Sequence, residues 1–273
     1  MVPSYTIRLA PKGGSTIMQD AVLAATSAVL VYMLLWFIIS LVLRRNDVAD
    51  VAWGGGFIVA SLAVLLSRGA ATDRAVLVVS LVTVWGVRLA LHIGLRNRGK
   101  GEDARYRKWR EEWGRHVVLR SFLQIYMLQG VLLVVISLPA VRAITAPDAP
   151  FGIMDLLGTA VWLTGFLFEA VADRQLLRFK KDPANKGGIM TTGLWRFSRH
   201  PNYFGEVMLW WGIFLVALAL PGGWMTVIGP VTITALILGV SGIPMLEKKY
   251  EGNREFEEYK RRTSAFFPLP PKA

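Results

Sequence analysis

The 273-residue chain contains no cysteine and three histidines. The absence of cysteine excludes disulfide bonds, thiolate catalysis and cysteine-based metal sites. The histidines are His92, His116 and His200, and they lack the HxxxH-type spacing of metal ligands, so no metal site is predicted. The glycine-rich Rossmann motif, the P-loop and the GxSxG motif of hydrolases are also absent from the sequence. A nucleotide, if one binds, would therefore bind to a helical membrane fold.

Charged residues are scarce as well, at 18% of the chain against about 25% in soluble proteins. Hydrophobic residues make up 53%, with ten Trp, 13 Phe and seven Tyr, and such aromatic residues favour the two interfaces of a bilayer. The formal net charge is +12, but no basic module stands apart from the apolar segments. The composition therefore indicates a membrane protein whose positive charge faces lipid headgroups and not nucleic acid.

Seven apolar stretches approach the length of about 20 residues that a membrane helix needs. They cover residues 21–43, 51–67, 75–95, 117–140, 153–172, 203–220 and 224–246. We therefore predict an all-α polytopic membrane protein of about seven transmembrane helices. Residues 1–20 form a polar N-terminal segment that is too polar for a signal peptide. Residues 21–273 form one membrane domain, whose C-terminal half, about 153–273, is the candidate for cofactor binding.

Lysine and arginine are distributed unevenly among the loops. Alternate loops along the chain hold 25 of them on one side of the membrane and five on the other, with Arg88 inside a span. The positive-inside rule places the richer side in the cytoplasm, so we expect the N-terminus outside and the C-terminus inside, in a bacterial inner membrane or an ER-type membrane. The long polar loops would then form a basic cytoplasmic cap, or serve as simple retention signals.

Several ionisable residues lie in or beside the spans, where such groups are costly and are functional candidates. Asp47 and Asp50 precede three glycines in "NDVADVAWGGG", and the structural alternative for them is a helix N-cap with a first-turn acid. Arg88, His92 and Arg96 form one helical stripe that we expect to face the bundle interior or an acid. An Arg88–Asp50 ion pair between helices is the alternative for this stripe.

Two further acids, Glu169 and Asp173, lie four residues apart at the end of the fifth span. They are followed by the basic residues Arg174, Arg178, Lys180 and Lys181. The acids could hydrogen-bond a ribose and an adenine while the basic residues hold phosphates. Salt bridges within the cap are the structural alternative.

The most specific stretch is "GLWRFSRHPNYFGEVMLWWG", residues 193–212. It resembles the C-terminal signature of the steroid 5-alpha-reductase family and its bacterial DUF1295 relatives. The ending "FEEYKRRTSAFFPLPP" and the order of "DVADVAWGGG" and "WGVRLALHIGLRNRGKGEDARYRKWR" extend the resemblance over residues 47–271. The resemblance implies a seven-helix membrane fold that binds NADPH from the cytoplasmic side. It also implies reduction of a carbon–carbon double bond conjugated to a ketone, in a steroid or a related lipid.

Together, the resemblance and the basic run assign cofactor contacts to Glu169, Asp173, Arg178, Lys180, Arg196, Arg199, His200, Asn202, Tyr203, Glu206 and Tyr259. Asn202 matches the asparagine of the "NYFGE" motif, whereas Lys180 stands where the steroid reductases have an arginine. The Gln-Glu pair of those enzymes is missing from this sequence. We therefore expect Asp47, Asp50 and Trp53 to form the catalytic end of the site.

In this interpretation a lipid enters from the bilayer and its enone carbonyl accepts a hydrogen bond from a protonated Asp50 or Asp47. Hydride from NADPH then adds to the β-carbon. Two other classes remain open. The "RHPxYxG" signature also appears in isoprenylcysteine carboxyl methyltransferases, which use S-adenosylmethionine, and a non-catalytic membrane protein would bind lipid without a nucleotide. The basic cap favours a cofactor with several phosphates.

Overall fold

The computed structural model describes residues 14–272, and for residues 14 and 15 it describes the backbone alone. Within this range the chain is helical and contains no strand, which confirms the all-α prediction. The helices are α1 Gly14–Leu43, α2 Val48–Arg68, α3 Asp73–Asn97, α4 Ala104–Trp113, α5 Val117–Ser121, α6 Leu128–Ile144, α7 Ile153–Lys181, α8 Pro201–Leu218, α9 Ile228–Ala235, α10 Ile243–Glu247 and α11 Arg254–Arg262.

Six helical stretches in the described range are long and apolar enough to cross a membrane. They are Thr16–Leu43, Val48–Arg68, Asp73–Asn97, Ala104–Ile144, Ile153–Lys181 and Gly223–Tyr250. The predicted sixth span corresponds to α8, which has 18 residues and carries the polar residues Asn202 and Glu206 near its start. The architecture is therefore a polytopic bundle of six long apolar stretches and the shorter α8.

Two helix boundaries differ from the predicted spans, and one helix was not predicted. Helix α1 begins at Gly14, so the last part of the predicted polar segment is helical, and residues 1–13 lie outside the described residues. Helix α7 continues through the basic run to Lys181. The polar loop before the fourth span contains α4, which Asp103 caps by accepting a hydrogen bond from the Arg105 N–H. Hydropathy misses such segments because their outer faces are charged.

The two ends of the bundle differ in charge. At one end lie the connections α1–α2, α3–α4 and α7–α8 and the segment after α10, and this basic end carries most of the lysine and arginine. At the opposite end lie the connections α2–α3, α6–α7 and α8–α9. The candidate residues of the signature stretch therefore fall at the basic end, where α8 begins.

Facing glycines bring α7 and α8 into close contact. A Cβ atom added at Gly205 would lie 2.5 Å from both the Glu169 backbone nitrogen and the Gly165 carbonyl oxygen. Gly158 and Gly212 repeat this contact about two turns away, where a Cβ at Gly158 would lie 2.6 Å from the Gly212 carbonyl oxygen. Small residues allow membrane helices to pack backbone against backbone. This approach places Glu169 against the first turns of α8.

An aromatic cluster joins α2, α3 and α8 in the bundle centre. Phe57, Trp85 and Trp210 are all buried, and their ring centroids lie 4.6 to 5.3 Å apart. Rings at these distances and tilts add to the stability that their burial provides. The polar atom of Trp85 points out of this cluster toward Glu169, so the cluster forms the apolar boundary of the candidate site.

The C-terminal segment holds the turn before α8. The Arg199 N–H donates to the Ser264 carbonyl at 2.8 Å, and the Leu269 N–H donates to the Phe197 carbonyl at 3.0 Å. The hydroxyl of Ser198 donates to the Phe266 carbonyl at 2.8 Å. The two stretches that carry the family resemblance at this end of the chain are thus one structural unit.

Candidate functional site

A charged cluster lies inside the bundle near the basic end. Arg88 of α3 donates to Asp173 Oδ2 at 2.8 Å and makes a very short contact with Glu169 Oε1, so it bridges two acids of α7. The indole Nε1 of Trp85 donates to Glu169 Oε2 at 2.8 Å. From α8, Asn202 Nδ2 donates to Asp173 Oδ1 at 3.1 Å. Three helices thus meet in one hydrogen-bonded group.

This cluster contains more acid than base. Glu206 lies within electrostatic range of Arg88, in addition to the two carboxylates that Arg88 already binds. His92 adds one weak contact, with its Nε2 3.8 Å from Asp173 Oδ2. Buried charges are costly unless they are fully paired. The Nε of Arg88 is nevertheless buried and without a hydrogen-bond partner among the described residues, so the two acids leave one donor of this guanidinium unpaired.

Asp50 belongs to a second polar group at the start of α2. Its carboxylate accepts hydrogen bonds from Arg105 Nη2 at 2.9 Å and from the Tyr106 hydroxyl at 2.6 Å. Both oxygens of Asp50 are thus held by donors from α4, one of them a guanidinium. The alternative of an Arg88–Asp50 ion pair is wrong, because each residue pairs with a different helix.

Asp47 joins two connections of the chain. It occupies the N-cap position of α2, but its side chain makes no capping hydrogen bond. Instead it accepts from Arg45 at 2.7 and 2.6 Å and from the Asp103 N–H at 3.2 Å. Burial raises the pKa of Asp103, but hydrogen bonds from Arg105 outweigh burial and hold it below its usual value. Both acids have both oxygens occupied, but the Asp50 side chain is 21% exposed against 2% for Asp47, so Asp50 is the better placed of the two to meet a ligand.

Trp53, Tyr203 and Glu206 lie between these two polar groups. Trp53 of α2 lies close to the Glu206 side chain of α8. Tyr203 lies within electrostatic range of both Glu206 and Asp50. The structure therefore brings the predicted catalytic and nicotinamide-side residues to the same end of the bundle.

Two residues of the "RHPN" motif bind the protein itself. Arg199 is 7% exposed, and its guanidinium donates to Glu247 at 2.9 Å and to the carbonyls of Lys260 and Thr263. His200 Nε2 lies 3.0 Å from the same Glu247 carboxylate. This geometry favours a structural role for both residues over the predicted contact with a cofactor.

Tyr259 of α11 has a similar place. Its hydroxyl donates to the Trp195 carbonyl in a very short hydrogen bond and lies 3.4 Å from the Ser198 carbonyl oxygen. Burial raises the pKa of Tyr259 above its ordinary range. Tyr259, which we predicted to contact the cofactor, therefore links the C-terminal segment to the turn before α8.

Exposed cations surround the same end. The predicted phosphate candidates Arg174, Arg178, Lys180, Lys181 and Arg196 are all exposed. Lys180 lies within electrostatic range of Arg96, Lys100 and Lys249, which come from two other connections. Like charges repel, so an anion with several phosphates would stabilise this arrangement.

Sequence reasoning missed some members of the site. It did not single out Trp85, Arg105, Tyr106, Lys100 or Lys249. The signal for Trp85 was its spacing of three residues from Arg88, which places both on one helical face. No sequence signal relates α4 to Asp50, since their contact joins positions 55 and 56 residues apart.

Comparison with known proteins adds family evidence. The family model described as "Protein of unknown function (DUF1295)" matches residues 36–263. An uncharacterized protein of Schizosaccharomyces pombe is 28% identical over 173 residues, which cover 55% of this chain and 50% of the relative. Human 3-oxo-5-alpha-steroid 4-dehydrogenase 1 is 37% identical over 68 residues, 24% of this chain and 26% of the human protein. No solved structure matches the chain.

The chain thus covers half of the yeast relative and about a quarter of the human one. The family match is more extensive and includes all the predicted site residues, from Asp47 to Tyr259. The helical bundle and the resemblance of the signature stretch agree with it. The chain belongs to the DUF1295 family, a steroid 5-alpha-reductase-like family of membrane proteins.

Proposed function

We propose that this protein is an NADPH-dependent membrane reductase of a carbon–carbon double bond conjugated to a ketone, in a steroid or another lipid. The observation that carries the proposal is the buried Arg88 cluster, which has an unused guanidinium donor and lies beside converging exposed cations. The human relative supports the reaction class, because its name describes an oxidoreductase that acts on a 3-oxo steroid.

The residues at the basic end fit a cofactor with several phosphates. Five exposed side chains would hold the phosphates: Arg174, Arg178, Lys180, Lys181 and Arg196. Asn202, Tyr203 and Glu206 would hold the nicotinamide end, next to the Arg88 cluster. Arg199, His200 and Tyr259 keep the turn before α8 in place and act on the cofactor only through it. When bound, NADPH supplies the hydride.

The group around Asp50 would receive the substrate carbonyl. Asp50 orients Arg105, whose Nη1 makes no hydrogen bond within the described residues and is therefore free to bind a carbonyl oxygen. A guanidinium remains charged at physiological pH and stabilises negative charge that develops on that oxygen. In this proposal Asp50 is a positioning residue, and Arg105 supplies the hydrogen bond to the carbonyl that we expected from a protonated acid.

An S-adenosylmethionine-dependent methyltransferase is the competing function, because it shares the "RHPxYxG" signature. In this protein the Arg and His of the signature bind Glu247 and backbone carbonyls, a task that does not depend on the cofactor. The signature alone therefore does not select a cofactor. The cations from three separate segments support NADPH, because S-adenosylmethionine carries no phosphate to pair with them.

The first experiment is thermal unfolding of the detergent-purified protein with NADPH, NADH or S-adenosylmethionine. A ligand at about 100 times its dissociation constant adds roughly 2.7 kcal/mol to the unfolding free energy. Stabilisation by NADPH, followed by oxidation of NADPH in the presence of an enone lipid, supports the proposal. Stabilisation by S-adenosylmethionine alone replaces it with methyl transfer. Binding of enone lipids without any effect of a nucleotide replaces it with lipid binding.

A further inference from the structure

A groove lies at the opposite end of the bundle, away from the Arg88 cluster. Its volume is about 1020 Å³, and it is bounded by the start of α1, the ends of α2 and α6, and the connection between α8 and α9. Most of its wall is apolar, with Met18, Val22, Leu138 and Met225 among the lining residues. The size suits an elongated organic ligand, and none of the described residues that line the groove is acidic.

Two arginines, Arg68 and Arg142, lie in the wall of this groove. Arg142 donates twice to the Pro221 carbonyl, at 3.1 and 2.7 Å. Arg68 donates to the carbonyls of Thr145 and Ala146. These bonds fix both guanidiniums in place but go to backbone carbonyls alone, so neither charge has a carboxylate partner among residues 14–272. Arg68 Nε and Arg142 Nη1 also make no hydrogen bond within that range, so both can still bind an anion.

The apolar wall runs along a helix that faces the bilayer. The lining residues of α1 extend from Ile17 to Thr26, which is about 13 Å along the helix axis. Helix α1 is poorly covered by the rest of the protein, since only 17% of its apolar 18-residue stretch is buried. A chain of methylene groups would cover the exposed apolar surface of this groove, and each methylene group that is buried there adds to the affinity.

We propose that this groove binds a glycerophospholipid with an anionic headgroup. Its phosphate would bind Arg68 and Arg142, and one acyl chain would lie along the first turns of α1. Arginine donors and phosphate oxygens form strong charge-assisted hydrogen bonds. The proposal is independent of the reductase function, because the groove and the polar cluster lie at opposite ends of the bundle.

The headgroup is tested by native mass spectrometry of delipidated protein in detergent. The probes are phosphatidylglycerol, phosphatidylcholine and inorganic phosphate. We expect one phosphatidylglycerol per protein, bound at least tenfold more tightly than phosphatidylcholine, with no competition from millimolar phosphate. Arg142→Gln should weaken phosphatidylglycerol about tenfold and Arg142→Lys less. Arg120→Gln, at an exposed position of the basic end, is the matched control and should have no effect.

The acyl chain is tested by filling the groove. Val22→Trp should remove phosphatidylglycerol binding, because the larger side chain occupies the groove. Leu30→Trp is the control. Leu30 is on the same helix, is 47% exposed and lies outside the groove, so this variant should bind phosphatidylglycerol as the unchanged protein does. Equal binding by both Trp variants, or equal binding of the two lipids, overturns the proposal. Unchanged thermal unfolding of each variant confirms that a loss of binding is not a loss of fold.

Discussion

Arg88 on α3 and Glu169 on α7 form an ion pair in the interior of the bundle, with side chains that are 18% and 3% exposed. The pair connects the α2–α3 part of the bundle to the closely packed α7–α8 pair. It also holds Glu169 in place, and Glu169 in turn contacts Trp85 and the start of α8. The same side chains that stabilise the fold therefore shape the candidate site.

The ion pair predicts a large stability loss for Arg88→Met. The substitution leaves two buried carboxylates without their cation, and breaking a buried pair on one side costs about 3–5 kcal/mol. Thermal unfolding in detergent measures the loss. Arg96→Met on the same stripe is the control, because Arg96 is exposed and should cost little. Equal losses for the two variants would contradict the structural role of Arg88.

The close approach of α7 and α8 predicts that Gly205→Ala is destabilising. The new methyl group would meet backbone atoms at 2.5 Å, so the helices must separate. Overpacking of this kind costs about 1–3 kcal/mol. Gly239→Ala is the matched control, because a Cβ there meets no atom within 4 Å. The contact is refuted if both alanine variants unfold at the same temperature.

The position of Asp50 predicts a catalytic loss without a binding loss. Asp50→Asn should lower turnover on the order of 10²-fold, because Arg105 loses the charge that orients it toward the substrate oxygen. The thermal shift produced by NADPH should remain unchanged. Asp47→Asn is the comparison, since it should lower stability more than turnover. Loss of NADPH binding in Asp50→Asn would assign Asp50 to the cofactor instead.

The cations at the basic end predict salt-dependent NADPH binding. Lys180→Gln should weaken NADPH about tenfold and reduce the dependence of its affinity on ionic strength, since one phosphate contact is lost. Lys108→Gln is the control, because Lys108 is exposed on α4 and pairs with Glu112. Calorimetric titration at two salt concentrations measures both effects. A Lys180→Gln variant with unchanged affinity would remove Lys180 from the site.

The orientation in the membrane can be measured directly because the chain has no cysteine. Single cysteines are introduced by Arg178→Cys at the basic end and Asp148→Cys at the opposite end, both exposed. With the basic end in the cytoplasm, a membrane-impermeant thiol reagent added to intact cells should label the Asp148→Cys protein alone. Labelling of the Arg178→Cys protein alone would reverse the predicted orientation.

Hydropathy predicts most of this fold, because a bilayer requires long apolar helices and the chain has few ways to provide them. It misses α4 and the last turns of α7, where charged faces hide the helical periodicity. These two segments matter for the candidate site. Helix α4 supplies Arg105 and Tyr106 to Asp50, and the end of α7 carries the cations that surround the basic end.

The sequence predicts which helical face a charged residue occupies more readily than it predicts the partner of that residue. The stripe of Arg88 and His92 pointed to an acid, and the structure places Asp173 there. The sequence offered Asp50 equally well, since helical spacing defines a face but not the neighbouring helix. Motifs have a related limit, because Arg199 and Tyr259 look like ligands in the sequence but bind backbone carbonyls in the fold.

The hydrogen bonds between the turn before α8 and the C-terminal segment also have a consequence for biosynthesis. Arg199 finds its carbonyl acceptor at Thr263, 64 residues later in the chain. While a ribosome is still producing that stretch, α1 to α8 can already have entered the membrane, yet the turn at the start of α8 lacks its partners. We therefore expect the basic end of the protein to mature last, after membrane insertion is complete.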